Sequence, residues 1–298
     1  MGLDNLVTLI MAGYEKPKLR LHKEFLYLNY DTIFNSLSAL EAGKVDEIIQ
    51  KYSEVRDSGI EGGAGIGSTK IGAGKKKTAN FEEELRRTRT NFSAFEEWHK
   101  YLSEAQAFGK LNDWNLETRE ELGVGDTLNF LANISISPLQ QIFMTFISFA
   151  KQASDPKSPL KQTGAELAST KSTAQMMNDW IQPRENSKTY ITYMDPFGIK
   201  IPRVLGRLDD KYLVRGAERI EGEYTVIGQV ETLVTGSASI PAIRIFKESP
   251  PTPLEISTTT SALKEFASNA STQGVLIGDA DISFDYPTVI IHPIAIYR

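Results

Sequence analysis

Cysteine is absent from this chain of 298 residues. Its absence excludes disulfides, thiolate nucleophiles and every zinc site built on cysteine, and it suits a reducing compartment. Histidine is nearly absent too, with His22, His99 and His292 the three present. No HExxH, HxH or nucleophile-elbow pattern surrounds them, so neither metal-assisted nor triad hydrolysis has a sequence basis. His99 follows Trp98 on a helical stripe and reads as a partly buried structural residue. His292 precedes Pro293 in a strand-like run, and His22 lies in a basic stretch.

Long apolar runs are missing as well. The N-terminal segment MGLDNLVTLIMAGYEKPK is short and begins without basic residues, unlike a spanning helix or a secretory signal. The best apolar helix, Leu139 to Ala153, is interrupted by Gln140, Gln141 and Lys151, which predicts a buried helix. These features together read as a cytoplasmic protein without a membrane span. The formal charge of −5 is mild and argues against wholesale wrapping of nucleic acid, although a local basic patch stays open.

What the chain does have is a concentration of glycine from Ser58 to Lys77, ending in three consecutive lysines. Glycine permits positive φ and close backbone approach at an entropic cost, so this stretch is a tether or a loop ordered around a ligand. Gly63, Gly65, Gly67, Lys70, Lys75, Lys76 and Lys77 are the candidate phosphate-binding residues. Against a nucleotide loop, Ser68-Thr69-Lys70 stands where Lys-Ser/Thr belongs. The segment before it, Val45 to Arg56, reads as helix where the motif needs a strand. A flexible insert over 58–80 is the favoured reading. Contact with nucleic acid is the alternative, weakened by Glu82, Glu83 and Glu84, which would neutralise much of the basic field.

Periodicity organises the rest. KEFLYL at Lys23 to Leu28 is a strand, followed by a helix over Asp31 to Leu40 capped by Asp31 or Thr32. Ser93 to Glu96 fits a capping box, with Phe95, Trp98, Leu102 and Ala105 as the stripe and Gly109 as the residue past the helix end. Thr127 to Ile136 is a strand, and Pro138 opens the next helix. Ser154 to Gly164 is linker-like. A helix over Ala165 to Ile181 follows it. Strands are expected at Tyr190 to Met194, Tyr224 to Val234, Ala242 to Phe246 and Thr288 to Tyr297, with one short helix at Leu263 to Ala270. The expected class is α+β. Residues 1–155 form a helix-rich region with a few strands, and residues 165–298 add a smaller, mixed but mainly antiparallel sheet. The two parts are free to share one core.

Two further clusters carry charge. Asp195 to Arg203, DPFGIKIPR, demands a turn at Pro196 and Gly198 and reads as a structural corner. Its Lys200 and Arg203, joined by Arg207 and Arg215, form a candidate second basic surface. Asp279, Asp281 and Asp285 alternate as cation ligands would, but the calcium-loop glutamate is missing, so turn chemistry is favoured. No catalytic residue, metal site or cofactor is assigned. An enzyme would need Asp195, Asp279 or Asp281 to meet Lys200, Arg203 or Arg215 in the fold.

Several phrases together carry a resemblance: Phe25 to Asn29, Ser36 to Gly43, Pro196 to Pro202, Tyr212 to Arg215, Gly222 to Val230 and His292 to Tyr297. Across nearly the whole chain these resemble an uncharacterised bacterial family of cytosolic proteins, a domain of unknown function. The resemblance implies a bacterial, single-chain, cytosolic protein and brings no catalytic residues with it. The expected function is a non-enzymatic interaction or sensor protein with a protein partner, in a defence or stress system. Phosphate binding through the glycine–lysine loop and an enzyme assembled only in the fold are the two alternatives.

Overall fold

The computed structural model describes residues 23–40, 91–182, 188–247, 250–271 and 277–298. Its centre is a five-strand mixed barrel of β3 (Thr127–Ile136), β4 (Thr189–Pro196), β5 (Val204–Asp209), β6 (Gly222–Leu233) and β9 (Val289–Tyr297). The strands close in the order β3, β6, β9, β5, β4 and back to β3. Only β5 against β9 is parallel among these pairs.

Alternation sets which side chains fill the barrel. On β3, Leu128, Phe130, Ala132 and Ile134 are buried and point inward, while Leu131 and Asn133 face out. They meet Met194, Val204, Leu208, Val226, Val230 and Ile291 in one apolar interior. Two short strands lengthen the sheet. β1 (Phe25–Leu28) joins β9, and β2 (Gly109–Lys110) joins β3. One edge of β9 serves β5 through Val289–Ile291 and then β1 through Ala295–Tyr297. Pro293, which has no N–H to offer, sits where the partner changes.

Helices cover two outer sides. Helix α1 over residues 30–40 and α2 (Asn91–Glu104) bury Ile33, Leu37, Phe95 and Trp98 against Ile227, Ala295 and Tyr297. On the other side lie α4 (Pro138–Ser154), α5 (Gly164–Ile181), α6 (Ala242–Phe246) and α7 (Pro253–Ser271). Their apolar faces pack on Ile191, Tyr193 and Leu205. The small pieces are α3 (Leu116–Glu120), the ribbon of β7 (Ser239–Pro241) with β8 (Ser283–Asp285), and α8 (Asp279–Ile282). Among the described residues no helix is long and apolar enough to cross a membrane.

The α+β class and the strand at Thr127 to Ile136 stand as expected. The chain on both sides of residues 154–164 contributes to the barrel, and that stretch turns α4 back into α5 through a Gln162 N–H to Ala153 carbonyl bond. Four local expectations are corrected. Ala242 to Phe246 is helix, not strand, because its apolar side chains dock as one helical face beside α7. Asn29, not Asp31 or Thr32, caps α1, its side-chain oxygen accepting from the Thr32 N–H at 3.1 Å. Ser93 lies within α2 rather than ahead of it. That helix ends on Gln106 at φ 54°, with Ala107 N–H on the Leu102 carbonyl and Gln106 N–H on Ser103, while Gly109 belongs to β2.

Candidate functional site

The connection from β4 to β5 combines more unusual features than any other described loop. Pro196 presets one turn position, and the chain then takes two consecutive left-handed residues, Phe197 at φ 54° and Gly198 at φ 79°. Gly198 N–H bonds to the Asp195 carbonyl at 3.0 Å and Ile199 N–H to the Pro196 carbonyl at 2.8 Å, so two turns follow without a break. Phe197 N–H then reaches across to the Leu131 carbonyl of β3 at 3.0 Å, which pins the tip to the barrel wall. Glycine adopts a left-handed conformation freely; a bulky aromatic does so at a cost of about 1–2 kcal/mol.

The side chains of this pinned tip face solvent. Ile201 is 70% exposed, Phe197 43%, Ile199 37% and the neighbouring Leu131 40%. Leu131 lies on the outer face of β3, the side of the barrel that the two helical layers leave uncovered. Lys200 stands among them with no carboxylate in ion-pair reach among the described residues, its nearest acidic influence being Asp195.

A polar latch holds the base. Tyr193, two residues before Asp195 and on the same face of β4, donates its hydroxyl to Asp281 at 2.6 Å. Asp281 also accepts from the Gly278 backbone at 2.9 Å, closing the first turn of α8. Arg203 lies over the Tyr193 ring at 4.5 Å, donates to the Ala280 carbonyl and stands 3.6 Å from Asp281. Burial, reinforced by the Asp281 carboxylate, pushes the Tyr193 phenol well above its ordinary range, so it serves as a permanent donor. Burial also raises the Asp195 carboxyl, and nearby Lys200 and Arg203 only partly oppose that rise.

This arrangement settles where the expected charges go. Lys200, Arg203, Asp195 and Asp281 do converge at one loop. Arg203 and Asp281 engage each other and Tyr193 as a brace, while Lys200 and Asp195 stand beside it outside ion-pair reach of each other. Arg207 lies 3.4 Å from the Thr189 hydroxyl, and Arg215 pairs with Glu24 at 2.5 Å. Asp279 faces Lys264 at 3.9 Å, and Asp285 faces the Ser283 hydroxyl. No group of three or more potential metal ligands occurs among the described residues. Of the histidines, His99 packs against the rings of Phe95 and Phe108, and burial lowers its basicity. His292 Nε2 lies 3.1 Å from the Asn29 amide nitrogen. Gly63, Gly65, Gly67, Lys70, Lys75, Lys76 and Lys77, with His22, fall outside the described residues.

Sequence reasoning reached the 195–203 segment through its prolines and glycine but missed Tyr193, the partner of Asp281, and the exposure of Ile201. The available signal was the apolar Phe-Gly-Ile-Lys-Ile run between turn-forming prolines, where a surface corner would ordinarily be polar.

A protein-family model described as a domain of unknown function matches residues 22–297. No curated protein and no solved structure matches the chain.

Proposed function

This chain belongs to the DUF6414 family, and from that premise we propose that it is a non-enzymatic interaction protein whose contact surface is the β4–β5 tip with Leu131 beside it. One observation carries the reading. Phe197 occupies a left-handed position that costs folding energy, and it does so while 43% exposed to water. Neither stability nor solubility favours an exposed phenylalanine there, since glycine or asparagine would satisfy the turn more cheaply. Strained residues that also expose apolar surface mark binding sites more often than scaffolding.

The brace supports the same reading. Tyr193, Arg203 and Asp281 hold the base of the loop, so its tip meets a partner already shaped and loses little entropy on binding. An apolar centre around a single lysine fits the anatomy of a protein contact: Phe197 and Ile201 as anchors and Lys200 as the polar element that fixes orientation. The setting we attach to this proposal is a bacterial defence or stress system, on the strength of the sequence resemblance alone.

The test is the size of the species formed in extracts of source cells. The wild-type chain is expected to sediment well above its own 33.2 kDa, and Phe197→Ser with Ile201→Ser to return it to the free chain. Identical sedimentation of the two proteins overturns the proposal.

A further inference from the structure

A second apolar surface lies apart from the loop. Between α4 and the turn leading to α5 lies an open cleft of about 380 Å³ lined by Met144, Thr145, Ser148, Phe149, Gln152 and Leu160. Met144 is 37% and Leu160 47% exposed, so apolar surface stands uncovered at both walls. A volume in this range accommodates one or two large side chains. None of the residues of the Tyr193 brace lines it.

The charges around this cleft select its occupant. Lys151 adjoins Gln152 on α4, and Lys157 and Lys161 flank Leu160 in the turn, all three exposed and without an ion pair among the described residues. One acid lies among them, the exposed Asp155, which accepts from the Lys157 backbone N–H at 2.8 Å, so three lysines stand against one carboxylate over residues 151–161. An excess of positive charge therefore frames an apolar hollow in a protein whose net charge is −5. Nucleic acid offers phosphates and flat bases that stack on aromatic platforms, whereas this lining holds one aromatic ring, Phe149, among Met144, Leu160 and polar residues. A membrane offers apolar chains, but membranes are met by protruding side chains, not by a concave wall. A concave apolar site with a cationic rim fits an inserted side chain with carboxylates around it.

We infer that the α4–α5 cleft is a docking site for a short acidic peptide segment of another protein, anchored by one or two large apolar side chains. Leu160, Phe149 and Met144 receive the anchor, while Lys151, Lys157 and Lys161 face the carboxylates. The loop at Phe197 takes no part.

Fluorescence anisotropy with a labelled Glu-Glu-Phe-Leu-Glu-Glu peptide tests this on the full chain. Binding is expected to weaken as salt rises. It should fall about tenfold or more for Leu160→Asp, as for an anchor pocket filled by a charge. Lys157→Glu with Lys161→Glu should weaken binding and remove or reverse its loss with salt, since repulsion is screened as attraction is, and circular dichroism checks that each variant keeps its helices. Peptides with Lys for Glu, or Ser for Phe and Leu, should not bind. The Phe197→Ser, Ile201→Ser chain should bind the acidic peptide as the parent does, which separates this site from the loop. Equal binding of the lysine peptide, or an unchanged Leu160→Asp, overturns the inference. So does sedimentation with phosphatidylglycerol vesicles in place of peptide binding, or self-association that Leu160→Asp removes.

Discussion

The hydroxyl of Tyr193 on β4 donates to the carboxylate of Asp281 on α8 at 2.6 Å, joining positions 88 residues apart in the chain. Arg203 leans on the ring and faces the same carboxylate, so three side chains form one unit. Tyr193→Phe is expected to lower stability by about 1.5–3 kcal/mol, the usual loss for a hydrogen bond to a charged group. Asp281→Ala should cost more, since it strips both Tyr193 and Arg203 of a partner. Urea unfolding of the two single variants and the double variant checks the coupling. The double loss should be smaller than the sum, whereas strict additivity would mean that the residues act independently.

Phe197→Gly separates folding from function. Removing the side chain relieves about 1–2 kcal/mol of left-handed strain, offset by about 0.4–1 kcal/mol for the freer unfolded chain, so the variant should hold or slightly gain stability while losing association with the partner. A loss of stability would show that the ring supports the fold, contrary to its exposure.

The Asp195 carboxyl titrates above its ordinary range because burial outweighs the pull of Lys200 and Arg203. For an acid whose folded pKa is raised, the stabilising contribution is full below the unfolded value of 3.8 and is lost as pH rises through the folded value. The ionised group therefore opposes folding at neutral pH. Asp195→Asn should melt higher than the parent at pH 7, with the gap closing toward pH 4. Half exposure and screening keep the effect below about 1 kcal/mol. A lower melting point for the variant at pH 7 would show that the carboxylate earns its place through the two cations.

Gly206 tests the barrel interior. A Cβ there would stand 3.0 Å from Pro293 Cγ and 3.0 Å from Met194 Sδ, and closer still to the Met194 methyl group. Met194 is fully buried, so its side chain has little room to retreat. Gly206→Ala should cost about 1–3 kcal/mol by overpacking. Met194→Val in the same chain should recover part of that loss in thermal unfolding. Absence of any recovery would place the clash on the backbone instead.

The same glycine explains part of what the sequence concealed. Val204 to Asp209, VLGRLD, reads poorly as a strand because Gly206 and Arg207 break its apolar alternation, yet it is the element that closes the barrel beside β9. Thr127 to Ile136 was legible because every second residue from Leu128 to Ile136 is apolar, with Leu131 the one apolar residue off that face, and its ends are marked by Asp126 and Pro138. Ala242 to Phe246 was misread because a short apolar run with β-branched residues looks alike in strand and helix, and only packing decides. Candidate-site residues divide in the same way. The turn at Pro196 to Pro202 is local and visible, whereas Tyr193 with Asp281 depends on a long-range contact that spacing does not encode. Exposure of Leu131 and Ile201 likewise follows from where the helices happen to cover the barrel.

A photo-crosslinking residue placed at Ile201 in source cells tests the claim of a contact surface most directly. Leu254, 75% exposed against 70% for Ile201, is the matched control. The account predicts a discrete adduct from position 201, absent from position 254, that disappears when Phe197 is changed to serine. Equal or diffuse labelling from both positions would contradict it.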